Sequence, residues 1–185
     1  MLGAIADRYP ISHYLEDGAK VTCSLMSSSD RGELSNFLAR LTRYELLYLQ
    51  TDITQPDIQE LWLDSIAKEK SVCVCAYDPA RLVGYASVQI SDDNGRRNGE
   101  IRVNISQGYR SRGLGRVLIS EIFNISKHIK LEILTARMLS DQYGAQAAFK
   151  RLGFVREKVL EDYVVDPSGT SKDLLVMTFN LQTDV

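Results

Sequence analysis

Apolar residues along this chain switch repeatedly between a period of two, which marks strands, and recurrence at three and four positions, which marks helices. Residues 11–15 and 20–26 predict a hairpin around Asp17 and Gly18. Ser28 or Ser29 is placed to cap a helix whose apolar face is Leu34, Phe37, Leu38 and Leu41. An apolar and aromatic run follows over 44–49. It reads first as core, then as the wall of an acceptor site, then as a dimer surface. A second helix begins at Pro56 and carries Ile58, Leu61, Trp62 and Ile66 at helical spacing. Residues 72–77 and 81–90 read as strands joined at Asp78 and Pro79, and 92–99 as a polar turn. Residues 100–105 form the next strand. An amphipathic helix then runs to about His128, with Leu114, Val117, Leu118, Ile122 and Ile125 on its apolar face. A strand over 130–138, a helix over 141–152, an extended stretch over 154–165 and a strand over 174–179 complete the pattern, with a turn at 166–169. No repeat, linker or low-complexity segment interrupts it.

Length and composition fit one domain over 1–185, with residues 1–19 as an N-terminal extension and hairpin strand. Apolar residues make up 44% and charged residues 25%, an ordinary globular balance. A net charge of −2 offers no general attraction to nucleic acid or to an anionic membrane. No apolar run is long enough to span a bilayer, and no signal pattern opens the chain. Cys73 and Cys75 alternate with valines, so they are read as small hydrophobes on one side of a sheet. The two histidines, His13 and His128, form no cluster with them, and no metal is expected. A reducing cytoplasm is the simplest setting for three such cysteines.

The segment from Gln107 to Gly115 carries the chemistry. A strand that turns through glycines into a helix presents several unpaired N–H groups at one point, where the helix dipole adds positive charge. Such a place suits a pyrophosphate. Gly113 and Gly115 let the backbone approach the anion, and Arg110, Arg112 and Arg116 surround it with positive charge. Two familiar phosphate motifs are excluded. Walker A needs Gly-Lys-Ser/Thr, and this chain has Leu114-Gly115-Arg116. The dinucleotide fingerprint needs a third glycine where Leu118 stands.

What remains, Arg110-x-x-Gly113-x-Gly115, resembles the acyl-coenzyme A pyrophosphate signature of the GNAT superfamily of N-acetyltransferases. Further on, Gln142 to Phe154 resembles a later motif of that family, Asn-x-x-Ala-x-x-x-Tyr-x-x-x-Gly-Phe. Ala145, Ala148, Phe149 and Leu152 there make a helical face, and Gly153 a C-cap. The likeness covers roughly residues 9–181. Between Leu15 and Leu41, and from Gly99 into the glycine turn, it is similar to the catalytic domain of bacterial protein-lysine acetyltransferases.

The resemblance implies an α/β (α+β) fold: a mixed, mostly antiparallel, twisted sheet of about seven strands flanked by about four helices. It implies acetyl-CoA as co-substrate, no metal, and transfer of acetyl to a primary amine by direct attack. The cradle would be Arg110, Ser111, Arg112, Gly113, Leu114, Gly115 and Arg116. By resemblance, Val103 and Ile105 pair with the pantetheine arm, and an N–H near Val103 or Asn104 polarises the thioester carbonyl. Glu100 occupies the position of the general base. Gln142 replaces the motif's asparagine and Phe149 its tyrosine, so Phe149 packs against the coenzyme's tail and no general acid is assigned. The implied acceptor is a protein lysine. A small amine such as an amino acid, polyamine or antibiotic is the competing enzyme reading, and a non-catalytic acyl-CoA sensor is the other class. Whether the chain forms a homodimer is left open.

Overall fold

The computed structural model describes residues 2–49, 51–93 and 95–183. Its strands are β1 (Ile11–Tyr14), β2 (Lys20–Leu25), β3 (Ser71–Asp78), β4 (Arg81–Asp93), β5 (Arg96–Ile105), β6 (Ile133–Leu139), β7 (Val155–Val165) and β8 (Ser171–Asn180). Its helices are α1 (Arg31–Leu38), α2 (Arg43–Leu46), α3 (Pro56–Ala67), α4 (Leu114–His128) and α5 (Tyr143–Arg151). The strands form one sheet in the order β1-β2-β3-β4-β5-β6-β8-β7. Every neighbouring pair is antiparallel except β5 and β6. The architecture is the α/β one expected; its eight strands correspond to the eight extended segments of the periodicity, where the resemblance implied about seven. The additional helix, α2, is a single turn held by a reciprocal cap between Thr42 and Glu45.

Two local expectations change. The 92–99 segment is strand for most of its length. Ser91 pairs with Asn98, Asp92 with Arg97 and Asp93 with Arg96, and the Asp92 carboxylate lies 3.7 Å from Arg97 Nε. Polar residues suited a turn, but opposite charges across the ladder suit a strand equally well. Gly99 is buried within β5, where a β-carbon would come 2.6 Å from Val88 Cγ2 and 2.7 Å from Leu131 Cδ1. Ser28 and Ser29 do not cap the first helix but lie in a 3-10 turn, Ser28–Asp30, that leads into it. Ser27 caps that turn, its N–H donating to Asp30 Oδ2 at 2.7 Å, and α1 follows Asp30 without a side-chain cap.

The sheet is covered on both faces. Val72, Val74, Ala86, Val88 and Ile101 point to one face and pack against α4, whose Leu114, Leu118, Ile122 and Ile125 are fully buried. Each such side chain contributes about 1.5–3 kcal/mol by leaving water. Cys73, Cys75, Leu82 and Tyr85 point the other way, against Leu34, Phe37 and Leu38 of α1 and Leu63 of α3. The cysteines are thus packing residues on one side of the sheet, as their alternation implied. Burial pushes the Cys23 thiol up to about 12, with Glu121 and Cys75 adding to it. Leu61, assigned to the inner face of its helix, lies 65% exposed, and Leu63 is buried in its place.

One irregularity positions everything that follows. β4 and β5 stay paired from Asp93↔Arg96 to Gly84↔Ile105. The parallel β5–β6 ladder runs only from Asn98↔Ile133 to Ile101↔Ala136. Beyond it β5 continues to Ile105 and β6 to Leu139, unpaired with each other. The sheet therefore opens between them, on the side toward the start of α4.

Candidate active site

The cradle is built by backbone conformation. After β5 a single 3-10 turn, Gln107–Tyr109, leads into Arg110 and Ser111. Ser111 has φ +56° and Gly113 φ +88°. Left-handed residues close together turn their N–H groups toward one point, and this is how anion nests form. A non-glycine residue held at positive φ carries strain of about 1–3 kcal/mol. α4 then starts at Leu114 without a side-chain cap and without an acidic residue in its first turn. Its first N–H groups stay available to a ligand.

Five predicted cradle residues, Arg110, Ser111, Gly113, Gly115 and Arg116, line a cleft of about 590 Å³. The glycines leave little spare room. A β-carbon on Gly113 would lie 3.1 Å from Glu16 Cγ, and one on Gly115 3.2 Å from Ile105 Cδ1. Arg110 donates to the Glu45 carboxylate and to the Ile105 carbonyl, and Arg116 Nη2 lies 3.5 Å from Glu16 Oε1. The other two predicted residues turn away from the cleft. Arg112 Nε donates to Asp17 at 2.5 Å and its Nη1 to the Gly108 carbonyl at 3.0 Å, while the guanidinium covers the Tyr109 ring. That hydrogen bond holds the Asp17 carboxyl below its ordinary value and raises Arg112. Leu114 sends a fully buried side chain into the core, so only its backbone faces the turn.

The cleft continues into the opened sheet, where Ile101, Val103, Asn104 and Ile105 form one wall. Because β5 alternates, Ile101, Val103 and Ile105 belong to the α4 face. Glu100, Arg102 and Asn104 belong to the other. Asn104 Nδ2 donates to the Tyr85 hydroxyl at 2.8 Å. Glu100 Oε1 accepts from Arg102 Nε at 3.1 Å, with Nη2 at 3.0 Å. Its Oε2 lies 3.5 Å from Arg137 Nε. The carboxylate is 27% exposed and sits where the two strands begin to part.

The opposite wall comes from α2, the end of β6 and α5. Phe149 is buried in the cleft wall and meets Phe154 edge-on, with ring centroids 5.1 Å apart. Gln142 also lines the cleft, but its Oε1 accepts from the Leu139 N–H at 3.0 Å and so fixes the end of β6. Tyr143 is 74% exposed. Two tyrosines from the 44–49 run line the cleft instead. Tyr44 donates to Asp141, which also receives Lys172 Nζ at 2.9 Å. Tyr48 is buried beside Leu139 and Leu174. Burial pushes its hydroxyl up to about 12, with Arg102 opposing and Glu100 adding. The sequence reads the 44–49 run as core first and as the wall of a site second, and Tyr48 is both, buried in a cluster and lining the cleft.

A second pocket, of about 340 Å³, lies across β5 beneath α3. Tyr85 and Arg102 are part of its lining. The Asn104–Tyr85 hydrogen bond therefore joins the two linings, and Glu100, which lines neither space, lies between Arg102 of the pocket and Arg137 of the cleft. No helix among the described residues is long and apolar enough to cross a membrane.

A sequence model described as the Acetyltransferase (GNAT) family matches residues 38–154. The chain belongs to this family, and it is an N-acetyltransferase of the acetyl-CoA-dependent kind. Similar folds include a GNAT-family acetyltransferase from Streptococcus pneumoniae, with TM-score 0.76 and 19% identity over 86% of this chain and 99% of that one. A putative acetyltransferase from Salmonella typhimurium, solved with its cofactor acetyl-CoA, superposes with TM-score 0.70 and 19% identity, covering 86% of this chain and 94% of that one. A spermidine N-acetyltransferase from Vibrio cholerae, in complex with CoA and spermine, gives TM-score 0.71 and 17% identity over 88% and 96%. At these identities the likeness is one of fold. A search of curated protein sequences finds no match.

Proposed function

We propose that the protein transfers acetyl from acetyl-CoA to a small primary amine by direct attack, with Glu100 as the general base. The observation that carries this reading is the position of Glu100. It contacts an arginine of each pocket, Arg102 of the one beneath α3 and Arg137 of the cleft, at the point where β5 leaves β6. The cleft fits the co-substrate by its own shape: a nest at Ser111 and Gly113, an uncapped α4 start, and a strand edge left unpaired. Gly113, Gly115, Ser111, Arg110 and Arg116 would hold the pyrophosphate, and Val103 and Ile105 the pantetheine arm. Acetyl-CoA supplies the reactive thioester.

The residues of this chain do the rest. Glu100 takes the proton an ammonium must lose before nitrogen can attack, directly or through a water. A backbone N–H of Val103 or Asn104 stabilises the charge that develops on the carbonyl oxygen. Tyr48 supplies the hydroxyl that Phe149 lacks. A phenol is protonated near neutral pH, and Tyr48 lines the cleft, so it can donate a hydrogen bond toward the departing sulfur. The nitrogen–carbon bond forms as the carbon–sulfur bond breaks; a thiolate is stable enough to leave without a dedicated acid, and the nitrogen's surplus proton then passes to it, directly or through water, to give the amide and the free thiol. A small amine is favoured over a protein lysine by the size of the space on the acceptor side, about 340 Å³, part of whose lining comes from Ile58, Trp62 and Ser65 of α3.

The test is calorimetric titration with acetyl-CoA, combined with a free-thiol release assay over amines and lysine peptides. Binding with amine-dependent release is expected. Absence of binding would overturn the cradle, and binding without release from any amine would overturn the catalytic reading.

A further inference from the structure

The pocket beneath α3 has a definite chemical character. Its apolar part is Trp62, Ile58 and Tyr85, and its polar floor includes Ser71, Ser87 and Gln89 from β3 and β4. Two hydroxyls there, Ser65 Oγ and Ser71 Oγ, are buried without a hydrogen-bond partner among the described residues. A buried polar group left unpaired is costly, so this lining is suited to a polar occupant.

Its charge is one-sided. Arg102 is the single charged side chain in the lining. Glu100 faces Nε and Nη2 of that guanidinium, and Nη1 has no partner among the described residues. Arg137 adds a second positive charge beside the same carboxylate. Two guanidiniums thus stand around one acid. An acceptor with a second ammonium would bring another cation to this place. An acceptor with a carboxylate would meet the remaining donors of a planar fork that matches its geometry. The Arg102 side chain is 32% exposed and can be reached.

Resting on the transfer reading above, we propose that this pocket binds the acceptor, and that the acceptor is a small primary amine that also carries a carboxylate, held by Arg102. Its amine then lies at Glu100, two residues along the same face of β5, while Trp62 and Tyr85 cover its carbon chain. The pocket selects against diamines and polyamines, which the fold resemblance to a spermidine acetyltransferase would otherwise suggest.

Trp62 is the only tryptophan in the chain and lines this pocket, so its fluorescence reports occupancy without any need for turnover. The experiment titrates the full-length protein with amino acids from glycine to 6-aminohexanoate, with hexylamine and with 1,6-diaminohexane, and repeats the series as acceptors in the thiol-release assay. A saturable change in emission with one or more of the amino acids, at least tenfold weaker for the diamine, is expected. The same order should hold in kcat/KM. In Arg102→Gln the preference for the carboxylate should fall at least tenfold. Because Arg102 also touches Glu100, the ratio between acceptors is read in that variant, not its absolute rate. Ser65→Phe, which fills the pocket from α3, should raise the acceptor KM at least tenfold with acetyl-CoA affinity unchanged. Thermal melts show that each variant is folded.

Diamines that bind as well as amino acids, or emission unmoved by every amino acid while thiol release proceeds, would overturn the inference and leave the transfer reading intact. A Trp62 response lost in Arg102→Gln, but without thiol release from any amine, would support the pocket assignment and overturn the transfer reading.

Discussion

The two spaces on either side of β5 are made by different means. The cleft toward α4 is a backbone construction: a ladder that stops at Ile101↔Ala136, two residues at positive φ and a helix start without a cap. The pocket beneath α3 is a side-chain construction, made of hydroxyls, an amide and aromatic rings around one guanidinium. A backbone surface suits a co-substrate that every member of a family shares. A side-chain surface can be altered residue by residue without disturbing the sheet, which suits the acceptor-selecting role proposed for it above. Glu100 belongs to the boundary, where both kinds of surface meet.

The largest expected effect is at that boundary. Glu100→Gln should lower kcat by about 10²–10⁴, the usual contribution of a general base, with acetyl-CoA affinity unchanged by calorimetry. An unaltered kcat would remove Glu100 from the mechanism. Next comes the backbone side. Gly113 has φ +88°, and Gly113→Val should weaken acetyl-CoA binding about ten- to a hundredfold, from about 1–3 kcal/mol of strain in the nest. Normal affinity in a folded variant would refute the cradle. On the far wall, Tyr48→Phe removes one hydroxyl, and a loss worth about 0.5–1.5 kcal/mol is expected in kcat and not in acetyl-CoA affinity. An unchanged kcat would leave the departing sulfur without help from Tyr48.

The smallest effect concerns stability. Hydrogen bonds from Lys172 and Tyr44 hold the Asp141 carboxyl below its ordinary 3.8. Folding thus favours its ionised form, and the stability it contributes is present above pH 3.8 and lost as pH falls through the lower folded value. The difference in Tm between the wild type and Asp141→Asn should be greatest near neutral pH and should close in acid. A gap that persists in acid would assign the loss to packing instead of charge.

The backbone side of this comparison is also the part the sequence declares. Gly113, Gly115 and the strand–turn–helix order around them could be read directly, because few other residue types meet the positive φ of the first and the close approach at the second. The later Gly153–Phe154 stop was equally plain. The polar loop at 92–99 was misread because Asp92, Arg97 and their neighbours satisfy a turn or a charged ladder alike. Arg112 was placed in the cradle by charge, although its partner is Asp17, distant in sequence and adjacent only in the fold. The run that contains Tyr48 could be read as core or as the wall of a site but not assigned to this cleft, and the α3 pocket was invisible, for the same reason. Their neighbours come from α2, α3, β3 and β4 and are brought together only by the sheet.

The Arg112 contact also ties the two ends of the machinery together. The β1–β2 turn grips the cradle loop twice, once through Asp17 and once through the Glu16 N–H, which donates to the Arg112 carbonyl at 3.0 Å. The first hairpin therefore acts as a splint for a loop that carries strain of its own at Ser111. On the cradle reading, a protein shortened at its N-terminus could keep the central sheet and lose its grip on the coenzyme, so the first hairpin would serve the site as much as the scaffold.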